Sequence, residues 1–214
     1  MEVITSKSLD YIVSIPSVRQ VDDSGTPVLC FLHGYCEAYP MDIRAALTLH
    51  GPLSQSSSPI ATGCFIVVAP QLPAKGDDWY KYTRIVLDIV VEIQNKYGGN
   101  KNKTYLTGFS YGGNGVIDIA LMTPDIWAGL WLVDPTRVPN TSPRRPIWLS
   151  IGELSRNNKS LFIERLNLKP ATGFESGENI YFDGNLDHIG TATLAYQDER
   201  VYTWLKNKSL SLIS

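Results

Sequence analysis

The sequence predicts an α/β fold: a mostly parallel central sheet with helices on both of its faces. One observation is a series of short apolar runs, rich in β-branched and aromatic side chains, which is typical of strands buried on both faces. A second observation is that segments with helical periodicity separate these runs, as in successive βαβ units. Because ligands of such sheets bind at the carboxyl ends of the strands, a functional site is expected at that edge.

Turn-forming residues mark where the apolar runs stop. His33-Gly34 follows the second run and Asp134-Pro135 follows the fifth, and Gly, Pro and Asp favour turns over a continued strand. The strands are expected at residues 10–15, 28–32, 65–69, 104–107, 130–133, 146–151 and 179–182.

Apolar side chains at spacings of three and four predict the helices between these strands. The clearest case has Ile85, Ile89 and Ile93 on one face, with Gly98 directly after the last turn. The helices are expected at residues 82–97, 113–122, 161–168 and 191–207.

Length and composition suit one globular domain that spans residues 1–214. The hydrophobic share is 43%, the charged share is 19%, and a formal net charge of -2 offers no basic surface to nucleic acid or to an anionic membrane. No apolar stretch reaches the roughly 18 residues that a membrane span needs. The first residues lack the pattern of a signal peptide, so a cytoplasmic location is expected.

A nucleophile is predicted at Ser110, within the segment Gly108-Phe-Ser-Tyr-Gly112. This segment has the form G-x-S-x-G and lies between a predicted strand and a predicted helix, which is the context of a nucleophile elbow. The turn is so sharp that side chains at positions 108 and 112 would collide with neighbouring backbone, and glycine has none. The serine is thereby raised above the sheet edge, at a helix N-terminus that favours developing negative charge.

An oxyanion hole is predicted from two backbone N–H groups. The loop after the strand at 28–32 begins with His33-Gly34, and in this arrangement the N–H of Tyr35 is expected to act with the N–H of Tyr111. His33 itself is interpreted as a structural histidine that fixes the loop.

The general base is predicted to be His188. A serine hydroxyl needs a base within hydrogen-bond reach, and in this strand and helix order the base follows the serine along the chain. Of the histidines His33, His50 and His188, only His188 does so, and it lies in a loop between the last strand and the last helix.

The acid that orients the imidazole must come from between Ser110 and His188, and two loops offer one. Asp134 directly follows a strand and is the preferred candidate; Glu153, after the next strand, is the alternative. Asp183 and Asp187 are nearer to His188 in sequence, but adjacency along a chain seldom gives the right approach.

Together these segments resemble the α/β-hydrolase superfamily. Within it, the chain is similar to small carboxylesterases: the phospholipase/carboxylesterase, dienelactone-hydrolase-like and predicted esterase or peptidase groups. The elbow is specific for the superfamily, and the other segments indicate the subgroup. The matching segments are residues 31–34, 49–53, 65–71, 105–113 and 195–205.

One position departs from that subgroup. The resemblance implies an Asp three residues past Gly152, and this chain has Ser155 there. Some lipases instead carry the acid as Asp-Pro after the preceding strand, which Asp134-Pro135 matches. Either the acid has moved to Asp134 or the triad is incomplete.

The sequence therefore predicts a serine hydrolase that cleaves carboxylic esters through an acyl-enzyme. The chain between Asp134 and His188 leaves no room for a large lid, which favours small or short-chain esters. The alternatives are a thioesterase or small peptidase with the same triad, or a non-catalytic binding protein. No metal or organic cofactor is expected, since neither metal-ligand spacing nor a G-x-G-x-x-G motif is present.

Overall fold

A computed structural model describes residues 1–17, 25–152, 154, 156–173 and 177–210. Within these residues, nine strands form one sheet. The strands are β1 (Glu2–Ile4), β2 (Tyr11–Ser14), β3 (Thr26–Leu32), β4 (Ile66–Pro70), β5 (Gly99–Phe109), β6 (Gly129–Val133), β7 (Ile147–Ile151), β8 (Lys169–Pro170) and β9 (Asn179–Asp183). The helices are α1 (Ile43–Leu49), α2 (Pro59–Cys64), α3 (Thr83–Tyr97), α4 (Tyr111–Met122), α5 (Lys159–Arg165), α6 (His188–Gln197) and α7 (Glu199–Lys206).

The sheet is parallel except at one edge. Its strand order is β1-β2-β4-β3-β5-β6-β7-β9-β8, and only the pairs β1–β2 and β2–β4 run antiparallel among the described strands. The predicted mostly parallel sheet with helices on both faces is confirmed. The carboxyl ends of β3, β5, β6, β7 and β9 all lie at the same edge, because these strands are parallel neighbours.

Successive side chains of the central strands point to opposite faces of the sheet, and each face is covered by its own apolar layer. One layer packs side chains of α3 and α4 against the sheet, and includes Leu106 and Leu132. The other packs α1, α2, α6 and α7 against the opposite face, and includes Tyr105 and Trp131. This is why the apolar runs of the sequence are unbroken by polar residues.

Helix α3 matches its sequence pattern closely. Val86, Ile89, Val90 and Ile93 are all buried against the sheet. Gly98 then adopts a left-handed conformation (φ 71°) and donates its N–H to the carbonyl of Gln94, which ends the helix.

The last predicted helix, 191–207, is two helices. Asp198 leaves the helical conformation (φ -74°, ψ 99°), and its side chain accepts the N–H of Arg200 to begin α7. The first of the two, α6, starts earlier than predicted because Asp187 caps it by accepting the N–H of Gly190. A capping residue inside an otherwise periodic segment is therefore a helix boundary that apolar spacing alone misses.

Several short elements were not predicted, namely β1, β8, α1 and α2. The two helices have 7 and 6 residues, too few to establish a helical period. Their caps are Asp42 and Ser58, and Ser58 belongs to a serine-rich segment that resembles a loop. None of the described helices is both long enough and apolar enough to pass through a bilayer.

Candidate active site

Three of the predicted site residues come from three different loops and meet at the carboxyl edge of the sheet. Ser110 follows β5, Asp134 follows β6, and His188 begins α6 after β9. The order of the strands brings these loops together although the residues are far apart in the sequence.

Ser110 occupies a strained turn between β5 and α4. Its backbone is at φ 57°, ψ -115°, and its N–H donates to the carbonyl of Val133 at 2.8 Å, which ties the turn to the next strand. A Cβ added to Gly112 would lie 1.9 Å from the carbonyl oxygen of Leu32, and one added to Gly108 would lie 2.3 Å from the carbonyl oxygen of Gly112. Only glycine fits at both positions, so the sequence pattern of the elbow follows from steric contact.

His188 links the other two residues. Its Nε2 lies 2.8 Å from the Oγ of Ser110, and its Nδ1 contacts the Oδ2 of Asp134. A carboxylate accepts hydrogen bonds only, so the proton of the neutral ring is assigned to Nδ1, and Nε2 is left to accept the serine hydroxyl. The ring also packs on Phe109, with centroids 4.6 Å apart.

Asp134 is completely buried at the end of β6. Its Oδ1 accepts the N–H of Gly152 at 3.2 Å, and its own N–H donates to the carbonyl of Ser150 at 2.8 Å. Its φ of 43° is left-handed, so the chain turns back here and directs the carboxylate toward His188. The alternative acid, Glu153, lies outside the described residues, as does Ser155.

The two predicted oxyanion donors lie on either side of Ser110. Gly34 approaches so closely that a Cβ there would be 3.4 Å from the Cβ of Ser110, and Tyr35 comes next, at the start of a 3₁₀ helix (Tyr35–Glu37). Tyr111 is the first residue of α4. Both N–H groups lie in first helical turns, where the backbone provides no intrahelical acceptor.

The side chains of these two tyrosines also meet. Their rings are edge to face, with centroids 5.9 Å apart. The Tyr111 hydroxyl donates to the Oδ1 of Asp78 at 2.6 Å, and this hydrogen bond, together with partial burial, raises the pKa of Tyr111 to about 12. The phenol therefore stays neutral, and the loop that carries Asp78 is tied to the residue after Ser110.

His33 fixes the loop below the site, in agreement with its interpretation from the sequence. It is buried, its Nδ1 lies 2.6 Å from the carbonyl oxygen of Gly34, and its Nε2 accepts the N–H of Leu72 at 2.9 Å. Burial lowers the pKa of His33 to about 4, so the ring is neutral at physiological pH.

Two further residues near the site gave no signal in the sequence. Glu37 is only 4% exposed, beside Gly34, and its Oε1 is 3.8 Å from the Nε2 of His50. Burial raises the pKa of the Glu37 carboxyl and lowers the pKa of His50. Arg156 contacts the loop that carries Asp134. A polar residue in an irregular loop looks solvated in a sequence, because its burial depends on distant elements that cover it.

The histidine and acidic side chains described at this site do not form a metal-binding cluster. Among the residues that the structure describes, no three His, Cys, Asp or Glu side chains are grouped so that they could hold a metal ion.

Solved structures similar to this chain include several hydrolases. A thermostable esterase is 19% identical, with a TM-score of 0.70 over 97% of this chain and 62% of that chain. The fluorophosphonate-binding serine hydrolase FphF from Staphylococcus aureus, with substrate bound, is 14% identical, with a TM-score of 0.63 over 96% of this chain and 97% of that chain. An acetyl xylan esterase from Aspergillus awamori is 15% identical, with a TM-score of 0.63 over 96% and 98%.

This chain thus has the α/β-hydrolase fold, as its sequence resemblance implied. It spans somewhat less than two thirds of the length of the thermostable esterase. No protein-family model matches the chain, and no curated protein matches it in sequence.

Proposed function

We propose that this protein is a serine hydrolase that cleaves carboxylic esters, with Ser110 as nucleophile, His188 as general base and Asp134 as the acid. The observation that carries this proposal is the 2.8 Å contact between the Oγ of Ser110 and the Nε2 of His188. That distance lies within the roughly 2.6–3.2 Å that proton transfer to a general base requires.

In the first step the Oγ of Ser110 attacks the ester carbonyl carbon while its proton passes to the Nε2 of His188. The carbonyl π pair moves onto oxygen and forms a tetrahedral oxyanion. The buried carboxylate of Asp134 holds the ring by its Nδ1–H and stabilises the imidazolium. The N–H groups of Tyr35 and Tyr111 are the donors for the oxyanion.

The oxyanion then collapses, the bond to the alkoxy group breaks, and His188 gives its proton to the leaving alcohol. Water then attacks the acyl carbon while His188 takes a proton from it. The bond between that carbon and the Oγ of Ser110 breaks, His188 returns the proton to Oγ, and the carboxylic acid leaves. The reaction is a net hydrolysis, with no redox change and no further co-reactant.

Small or short-chain esters are the proposed substrates. The rim of the site carries exposed apolar side chains on two sides: Tyr35, beside Ser110, is 51% exposed, and Ile189, directly after His188, is also 51% exposed. The thermostable esterase and the acetyl xylan esterase of similar fold support ester cleavage. An uncharged acyl or alcohol group fits this rim better than an anionic one, because buried Glu37 lies close by.

The test is intact-mass analysis after treatment with a fluorophosphonate probe. We expect one adduct on the wild-type protein and none on Ser110→Ala. Ser56→Ala is the matched control, since Ser56 is an exposed serine outside the proposed triad and its loss should leave labelling unchanged. Absence of an adduct on folded wild-type protein would contradict the proposal.

A panel of p-nitrophenyl esters from acetyl to dodecanoyl, with an acetyl thioester and an anilide beside it, then tests the substrate class. We expect kcat/KM to be highest for the short acyl esters and to fall with acyl length. A preference for the thioester or the anilide would show that the site is activated but that the ester assignment is wrong.

A further inference from the structure

Arg156 makes an unusual set of contacts around the proposed acid. Its Nη2 donates to the carbonyl oxygen of Asp134 at 2.9 Å, and its Nε donates to the carbonyl oxygen of Pro135 at 2.8 Å. The side chain is only 15% exposed. One guanidinium edge therefore holds two consecutive carbonyl groups of the loop that follows β6.

That loop needs such support. Asp134 is in the left-handed region, at φ 43°, which costs free energy for a residue other than glycine unless surrounding contacts impose it. Because β6 ends at Val133, the carbonyl groups of the next two residues have left the regular β6–β7 ladder. Arg156 supplies a donor to each of them.

The same guanidinium also faces the reacting groups. Its Nη2 lies 3.3 Å from the Oδ2 of Asp134 and 3.2 Å from the Nδ1 of His188. When Nδ1 carries the proton that the carboxylate accepts, the acceptors of Arg156 include the two carbonyl oxygens and the carboxylate. Arginine donates hydrogen bonds only, so its N–H groups help to hold the Asp134 carboxylate where it meets the Nδ1 of His188.

We propose that Arg156 is a positioning residue for catalysis; this inference rests on the proposed function. It locks the Asp134-Pro135 turn so that the carboxylate meets the Nδ1 of His188, which keeps Nε2 open to accept the proton of Ser110. Its described contacts are with the Asp134-Pro135 turn and with His188. Its planar fork suits this task better than the single ammonium group of lysine, since Nε and Nη2 reach separate carbonyls at once.

The proposal also accounts for the position of the acid. The sequence resemblance implied an acid in the loop after β7, whereas Asp134 follows β6. Arg156 comes from the loop after β7 and reaches back to the loop after β6. The loop that would otherwise carry the acid instead carries the residue that holds it.

The experiment measures kcat and KM for p-nitrophenyl acetate in Arg156→Ala, Arg156→Lys, Asp134→Asn and the double variant Arg156→Ala/Asp134→Asn. Arg84→Ala is the matched control, because Arg84 forms an exposed ion pair with Asp88 on α3, away from the site. We expect Arg156→Ala to lower kcat by about 10- to 100-fold, the range seen when residues that orient metal ligands are removed, with KM nearly unchanged. Arg156→Lys should recover part of the loss.

The double variant separates positioning from a general loss of structure. If Arg156 acts through Asp134, its removal has almost no further effect once Asp134 is asparagine, so the two losses are far from additive. Wild-type kcat in both Arg156→Ala and Arg156→Lys would overturn the proposal. So would an undiminished loss in the Asp134→Asn background.

Fluorophosphonate labelling keeps this test distinct from that of the proposed function. If the wild-type protein is not labelled at Ser110 and does not hydrolyse the ester, the proposed function itself is contradicted. If the wild-type protein does both and the Arg156 variants are as active as Arg84→Ala, only the role of Arg156 is contradicted. If circular dichroism shows that Arg156→Ala does not fold, the same comparison is made with Arg156→Lys and the double variant Arg156→Lys/Asp134→Asn.

Discussion

His33 and His188 lie at the same edge of the sheet, yet the structure gives them opposite surroundings. His33 is 1% exposed, and both of its ring nitrogens face backbone groups of Gly34 and Leu72. The side chain of His188 is 34% exposed, and its nitrogens face the hydroxyl of Ser110 and the carboxylate of Asp134. A backbone amide does not exchange a proton during a reaction, whereas a serine hydroxyl gives one up. The partners of each ring, rather than the ring itself, separate a structural histidine from a candidate base.

The largest expected effect is on kcat, and it tests the difference between the two histidines directly. Replacing His188 with Gln removes the proposed base, and loss of the base in a comparable serine hydrolase triad costs about 10⁶-fold in kcat. His33→Gln should have a far smaller effect on kcat and a larger effect on stability, because the Gln amide cannot place its donor and its acceptor where Nδ1–H and Nε2 of the ring lie. Steady-state kinetics and chemical unfolding of both variants test this. Equal losses of kcat in the two variants would contradict the assignment of a catalytic role to His188 and a structural role to His33.

The next effect concerns the acid. Asp134→Asn keeps the shape of the side chain but stabilises the wrong tautomer of His188, and the corresponding change in serine proteases costs about 10⁴-fold in kcat. Asp187→Asn is the matched control: this carboxylate is adjacent to His188 in sequence but accepts the N–H of Gly190 as a helix cap. Its loss should lower stability by about 1 kcal/mol or less and spare kcat, since asparagine also caps helices. A normal rate in Asp134→Asn would remove Asp134 from the mechanism.

The fold was predictable from the sequence where elements are long or buried on both faces. The parallel strands and α3 follow from uninterrupted apolar runs and a clear helical period, and the structure confirms them. The boundary between α6 and α7 was missed because it depends on one capping side chain, that of Asp198. The short helices α1 and α2 depend on caps and tertiary contacts more than on their own periodicity.

The site was predictable to a lesser degree. The glycines around Ser110 are required by contacts that the motif itself encodes, so the elbow stands out in the sequence. The choice between Asp134 and Glu153 depends on how loops after two neighbouring strands turn, which local sequence does not specify. Arg156 and Glu37 were not anticipated at all, since their burial comes from residues distant in the chain.

A third effect, on stability, sharpens the comparison of the histidines. The pKa of His33 falls to about 4 in the folded protein from an ordinary value of 6.5. The unfolded chain therefore binds a proton at this residue between those values while the folded protein does not, so its contribution to stability is complete above pH 6.5 and is lost as the pH falls toward 4. The shift corresponds to about 3 kcal/mol. Unfolding in urea from pH 4 to pH 7.5 should show this slope, and His33→Gln should reduce it; the lowered pKa of His50 contributes in the same direction and remains.

The smallest effect has the opposite sign and comes from Glu37. Burial raises the pKa of its carboxyl above the ordinary 4.5, although backbone N–H groups of Glu37 and Cys36 and the nearby His188 offset part of the rise. Just above pH 4.5 the unfolded chain has lost this proton and the folded protein retains it. Stability from Glu37 is therefore complete below pH 4.5 and decreases as the pH rises through the folded pKa.

Just above pH 4.5 the contributions of His33 and Glu37 to unfolding free energy change in opposite directions and partly cancel. Replacing one of the two residues should therefore make the contribution of the other easier to measure. Glu37→Gln should make the rise of unfolding free energy above pH 4.5 steeper, because the opposing Glu37 contribution is gone while that of His33 remains. His33→Gln should make the rise shallower, because the Glu37 contribution then opposes only that of His50 among these three residues. The same urea titrations measure both, with Glu92→Gln as a control for an exposed carboxyl on α3. An unchanged slope of unfolding free energy against pH in Glu37→Gln would contradict this prediction. It would mean that the Glu37 carboxyl has the same pKa in the folded protein as in the unfolded chain, despite its burial beside Gly34.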